Sequence, residues 1–246
     1  MRRLLLINPN TSEEVSELLQ SHARRIVGSE ASVDTFTARF GAPYISCEAS
    51  YAVAGHAVLD TWARALASSA DQFDAVLIGC FGDPGLMALR QSSLVPVRGL
   101  AEASFAEAAK LGRFVVVTGG ERWKPILERL AHSLGLEENL GGIHTVEQSG
   151  AQLAQNPAAA QVLLAQACIQ AAEECDAKAI ILGGAGLAGI AALIQPSVPV
   201  PIIDSVEAGV RATLDTLPIR GVRVGKAFEF AWRNVSLELA ATGNAD

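Results

Sequence analysis

The sequence predicts an α/β protein of two similar lobes, each a four-stranded parallel sheet flanked by helices, related by a pseudo-twofold axis. Three observations carry this. Short apolar runs alternate with helical stretches along the chain, the pattern of βαβ units. One such unit occurs twice: Ala75 to Leu86 reads AVLIGCFGDPGL and Ala179 to Ile190 reads AIILGGAGLAGI. Gly79 then matches Gly183, Gly82 matches Gly186, Gly85 matches Gly189, and Cys80 falls on Gly184. The repeat continues downstream, where VPVRGLAEA from Val95 aligns with VPIIDSVEA from Val200.

In chain order, strand-like runs fall at residues 4–7, 33–36, 76–78, 95–97, 114–117, 143–146, 180–182 and 200–203. Most are apolar nearly throughout, as strands covered on both faces are. Helical stretches at residues 12–27, 52–69, 100–111, 122–134 and 158–174 lie between them. LLLINPN near the start resembles FVVVTGG from Phe114 in pattern, which completes two sets of four strands. Capping chemistry predicts three helix starts: Thr11 with Glu14 as a capping box, Asp83 as N-cap before Pro84, and Asp204 with Glu207. Residues 1–99 with about 217–246 are expected to form the first lobe, and 100–216 the second.

Composition narrows the function. At 246 residues the chain can bury a substantial core, and with 50% hydrophobic and 18% charged residues it has no low-complexity tract. Its 19 basic against 26 acidic residues leave a net charge of −7, which argues against nucleic acid and anionic membrane as partners. The apolar stretch after Arg2-Arg3 meets Asn8-Pro9 too soon for a signal-peptide core. The longest apolar run, residues 179–194, is shorter than a membrane span and broken by glycines. Cys47, Cys80, Cys168 and Cys175 show neither a disulfide framework nor a zinc pattern. A cytoplasmic protein with reduced thiols is expected. His22, His56, His132 and His144 form no i,i+4 pair, so no metal site is expected. A dinucleotide fingerprint, a P-loop and a Ser-His-Asp signal are also missing. The partner is therefore read as a small molecule.

Parallel sheets bind ligands outside the carboxyl ends of their strands, where Asn8, Asn10, Cys80, Thr118 and Gly184 sit. Cys80 lies between a strand and the helix expected from Asp83-Pro84, so helix N–H groups and dipole should lower its pKa and favour thiolate. Gly79, Gly82 and Gly85 would let backbone approach a ligand and leave N–H groups for an oxyanion. Asn10 is placed to hydrogen-bond a ligand carbonyl, although Asn8-Pro9-Asn10 also reads as plain turn chemistry. Thr118-Gly119-Gly120 is the matching turn of the second lobe and would supply a hydroxyl and backbone N–H donors. Cys47, Cys168, Cys175 and His56 read as loop, packing or surface residues. Glu102 and Glu207 read as helix-dipole partners.

Several segments together resemble one family. INPNTSEEVSELL (residues 7–19), IGCFGDPGL (78–86), VPVRGLAEASF (95–105), VTGGERW (117–123) and VPIID (200–204) are similar to the hydantoin/allantoin racemase branch of the aspartate/glutamate racemase superfamily. The resemblance spans essentially the whole chain. It implies two flavodoxin-like lobes, a cofactor-free site in the cleft between them, and a homo-oligomer. In that family two cysteines, one per lobe, move the α-proton on opposite faces of a substrate carbon. Cys80 matches the first. The second belongs in a G-C-A-G segment, where this chain has Gly183-Gly184-Ala185-Gly186.

One thiol cannot serve both faces of a carbon, so racemisation is expected to be weak or absent. The expectation is an isomerase of the racemase type acting on a small cyclic ureide, a 5-substituted hydantoin or allantoin. Cys80 would be the proton-transfer thiol, and Asn10, Phe81, Thr118, Gly119, Gly184 and Ala185 would shape the pocket. Two other readings stay open: a one-cysteine lyase of the arylmalonate decarboxylase kind, and a small-ligand-binding relative without turnover.

Overall fold

A computed structural model describes residues 1–69, 72–148, 152–153, 156–216 and 232–243. The first sheet is built from β1 (Arg2–Asn8), β2 (Ala31–Thr37), β3 (Ala75–Ile78) and β4 (Val97–Gly99), in the order β2-β1-β3-β4. The second contains β5 (Phe114–Gly119), β6 (Leu140–Val146), β7 (Ala179–Gly183) and β8 (Ile202–Asp204), in the order β6-β5-β7-β8. All six pairings are parallel, so the two orders are the same topology traced twice. The eight strands anticipated from the apolar runs are present. β4 begins two residues later than the apolar run at Val95, and β8 two later than that at Val200.

The helices are α1 (Glu13–Val27), α2 (Glu48–Ser68), α3 (Leu86–Ser92), α4 (Leu100–Ala109), α5 (Lys124–Ser133), α6 (Pro157–Cys175), α7 (Ile190–Ile194), α8 (Ser205–Leu214) and α9 (Leu237–Gly243). In α1, Ser16, Leu19, Ala23 and Val27 are buried at helical spacing, with Glu13 and Glu14 opening it and Arg24 and Arg25 closing it in the sense of the helix dipole. Its N-cap is Ser12, whose hydroxyl accepts from Val15 N at 3.3 Å; the cap lies one residue past Thr11, and with Val15 at the third position the capping box expected from Thr11 and Glu14 does not form. Asp204 caps α8 as anticipated, accepting from Val206 N at 2.9 Å and Glu207 N at 3.1 Å.

The third expected cap is overturned. Asp83 does not start α3; Gly85 is its N-cap and Leu86 its first residue. Asp83, at φ 56°, instead turns its carboxylate onto α4, accepting from Ala101 N at 2.9 Å and Glu102 N at 2.7 Å. A capping partner so distant in sequence has no local signature.

The two sheets share one core. Along β5, Phe114 and Val116 face a hydrophobic cluster that runs through both sheets, while Val115 and Val117 face an outer layer with α6. That is the period-two alternation of a strand covered on both sides. α4, reached from β4, packs on β7 and β8; α8, reached from β8, packs on β3, β4 and α1. Each sheet thus lends its last helix to the other, which locks the strand ends of both into one cleft. α9 packs on α2; residues 217–231, which the sequence groups with the first lobe, lie outside the described residues.

Candidate active site

The carboxyl ends of β1, β3, β5 and β7 meet around a small cavity of about 60 Å³. Every site residue read from the sequence lines it: Asn10, Cys80, Phe81, Thr118, Gly119, Gly184 and Ala185. Tyr44, Ile45, Trp123 and Leu187 join them without having been singled out. Trp123 stood in a quoted segment, VTGGERW, whereas Tyr44 comes from an irregular loop between β2 and α2 that carries no repeat or motif.

The polar groups are oriented by their neighbours. Asn10 Oδ1 accepts from Ser12 N at 2.9 Å and from Asn8 Nδ2 at 2.9 Å. With its oxygen held, the amide that Asn10 offers a ligand is the donor end, suited to a carbonyl. Asn8 is buried and serves this network, bonding also to Ser16 Oγ at 2.9 Å. Thr118 Oγ1 donates to Gly183 O at 2.7 Å. Its proton is committed, so the hydroxyl that Thr118 supplies presents lone pairs and acts as an acceptor.

The glycines pack rather than bind. Gly79 N donates to Ile7 O at 2.8 Å and is not available to an oxyanion. A Cβ at Gly82 would lie 2.5 Å from Trp123 Cζ3, and one at Gly85 would lie 2.9 Å from Gly55 O. A Cβ at Gly183 would fall within the Phe81 ring. Phe81 of the first turn and Trp123 of the second lobe therefore each lie on a glycine of the opposite lobe.

Cys80 is 8% exposed, and burial pushes its thiol well above the ordinary value, with the nearby Asp83 adding to the shift. This reverses the expected lowering. Because α3 starts at Leu86 and not at Pro84, no helix N-terminus opens beside the thiol, and the charge that acts on it is the Asp83 carboxylate. Asp83 is itself lifted to about 7, chiefly by burial; the N–H bonds from Glu102 and Ala101 oppose this, and neighbouring Glu102 reinforces it. Glu102 does more than complement a dipole: it is buried between Arg90 at 2.6 Å and Arg98 at 3.2 Å.

The other thiols stand apart. Cys47 caps α2, where hydrogen bonding with Ser50 holds its thiol below the ordinary value. Cys168 is buried under the second sheet and burial pushes it to about 12. Cys175 ends α6.

Opposite Cys80, Gly184 has φ 145°, and a Cβ there would meet Leu187 Cγ at 3.4 Å and Leu187 Cδ1 at 3.5 Å, ordinary contacts. Its N–H donates to Ser205 Oγ at 3.2 Å. The second turn is thus closed by glycine and apolar side chains, with no thiol.

The sequence profile of the Asp/Glu/Hydantoin racemase family matches residues 4–213. The chain belongs to that family. It is 32% identical over 210 residues to a hydantoin racemase from Pseudomonas sp. (strain NS671), covering 85% of this chain and 83% of that one. Among solved structures, allantoin racemase from Klebsiella pneumoniae superposes with a TM-score of 0.80 at 31% identity, covering 87% of this chain and 86% of that one. Arylmalonate decarboxylase, at 18% identity and a TM-score of 0.60 over 87% of this chain and 92% of that one, shares the fold. The racemase family's two-lobed α/β architecture is the one derived above, and these racemase relatives are isomerases.

Proposed function

We propose that this racemase-family protein moves the acidic C5 proton of a small cyclic ureide, a 5-substituted hydantoin or allantoin, with Cys80 as its thiol acid/base and no cofactor. The observation that carries the reading is the pairing of one thiol with two pre-oriented polar groups in a single small cavity. Asn10 offers N–H and Thr118 offers a lone pair, the complement of adjacent C=O and N–H groups of a ureide. The carbonyl beside C5 accepts the electron pair when Cys80 removes the proton, and a hydrogen bond from Asn10 stabilises the oxygen as charge develops.

The absence of a thiol at Gly184 shapes the outcome. Cys80 removes and returns a proton on one face, so the dominant event is exchange with solvent and retention of configuration, and inversion is slow. Proton NMR in D2O with each pure hydantoin or allantoin enantiomer tests this. Fast loss of the C5–H signal from one enantiomer, with optical rotation largely preserved, supports the reading. Inversion of both enantiomers as fast as exchange overturns it.

A further inference from the structure

We propose that Tyr44 is the acid/base of the second face, supplying the slow inversion that the glycine at position 184 leaves without a thiol. This rests on the proposed chemistry of Cys80. Among the described residues lining the cavity, only Cys80 and Tyr44 carry a titratable side chain; the others are amide, hydroxyl, indole, apolar or glycine. Two titratable groups in one cavity is the minimum that inversion needs.

The placement of Tyr44 fits the role. Its loop belongs to the first lobe, tied there by Ala42 O accepting from Thr11 N at 3.1 Å and anchored by buried Ile45. The side chain crosses the cleft, and its hydroxyl donates to Gly119 O at 3.4 Å. Gly119 follows Thr118 on β5, Gly184 follows Gly183 on β7, and Thr118 is in register with Gly183. The phenol therefore meets the β5 turn of the second lobe, on the strand paired with the one whose turn holds Gly184, while Cys80 stands on the first-lobe turn. A phenol, like a thiol, can act as a general acid towards a carbanion.

The step balances. The Cys80 thiolate takes the C5 proton, and the C–H electron pair passes into the ring carbonyl to give an enolate. The hydroxyl of Tyr44 gives up its long bond to Gly119 O, and the enolate carbon takes its proton on the opposite face, forming the new C–H bond and leaving a phenolate. Solvent returns a proton to Tyr44 and accepts one from Cys80, with no net change except configuration.

The test uses the full chain with each enantiomer of 5-benzylhydantoin and of allantoin in D2O, reading exchange by proton NMR and inversion by polarimetry. Tyr44→Phe should lower inversion at least about 100-fold, the lower end for a lost acid/base, and lower exchange of the Cys80-facing enantiomer far less. Cys80→Ser should abolish exchange of that enantiomer yet leave slow exchange of its mirror image, an arm that does not depend on how the tyrosine variant folds. Inversion in Tyr44→Phe at the wild-type rate overturns the proposal, as does a wild type that exchanges one enantiomer and never inverts it. Exchange that persists unchanged in Cys80→Ser for both enantiomers overturns the Cys80 reading instead.

Discussion

The turn after β3 and the turn after β7 descend from one pattern, yet they clasp the molecule with carboxylates placed at opposite ends. In the first lobe, Asp83 sits in the turn and reaches forward to cap α4 at Ala101 and Glu102. In the second, the aligned position is Leu187, and the carboxylate is Asp204 at the end of β8, which caps α8 and reaches back to Gly189 N at 2.6 Å. Gly99 aligns with Asp204, and a Cβ at Gly99 would fall inside the Asp83 carboxyl group. The glycine is the consequence of the swap: one carboxylate occupies the same place in both lobes, supplied from different residues. The exchange has a chemical price for Cys80. The first lobe carries the thiol and also the buried anion that raises its pKa, whereas the second lobe keeps its carboxylate half-exposed and has no thiol to disturb.

The sharpest way to break the comparison is to remove what differs most. Cys80→Ser should reduce C5-proton exchange about 100- to 10,000-fold, the usual loss for a general acid or base. Gly184→Ala should leave exchange on the Cys80 face within a factor of a few. Deuterium uptake followed in both variants checks the pair. Equal losses would mean that the two turns contribute alike and that the asymmetry has no chemical role.

The carboxylate swap gives the next largest effect, on stability. Asp83→Ala leaves two buried N–H groups without acceptors, at about 1–3 kcal/mol each for a buried unsatisfied donor, so a loss of about 2–6 kcal/mol is expected in urea denaturation. Asp204→Ala should cost about 1 kcal/mol, typical of an N-cap, because water reaches that partly exposed end. A larger loss from Asp204 than from Asp83 would reverse the ranking of the two clasps.

These differences also explain what the sequence made legible. The strands are legible because they are short apolar runs punctuated by turn residues, and the repeat of the glycine turn marks both halves of the cleft in the sequence itself. Asp83 was misread because Asp-Pro is a strong local helix-start signal, and a tertiary partner 18 positions away took the carboxylate instead. The pKa direction of Cys80 departs from the sequence expectation for the same reason, because the helix start that would lower it lies farther along the chain. Tyr44 was invisible: a single aromatic in an irregular loop has no periodicity, and only the fold brings it against Gly119.

The raised thiol makes a prediction in pH. A thiol pushed up by burial is protonated at neutral pH, and its thiolate fraction grows tenfold for each unit of pH below its pKa. Exchange on the Cys80 face should therefore rise about tenfold per unit from pH 7 to 9 and continue past the ordinary thiol value near 8.5. Stopped-time deuterium uptake across that range is the measurement. A plateau near pH 7 would show a thiol lowered as a helix N-terminus lowers it, and would place the Asp83 anion too far away to matter.

Gly184→Cys restores the symmetry that the repeat lost, and its smallest effect is the most informative. Space is not the obstacle, because the new Cβ would make ordinary contacts with Leu187. The backbone is: Gly184 sits at φ 145°, while Cys80 in the first turn has no positive φ. Holding an L-residue in this glycine-favouring region costs about 1–3 kcal/mol, so the variant should lose that much stability or let the turn rotate toward the form of the first. If it rotates, the thiol takes the second face, and inversion should rise to approach the exchange rate for both enantiomers. That inversion would no longer depend on Tyr44, so adding Tyr44→Phe to Gly184→Cys should change it little. A folded Gly184→Cys protein that exchanges as before but still inverts slowly would show that the second turn differs from the first in backbone as well as in side chain, and that a thiol there faces away from the substrate carbon.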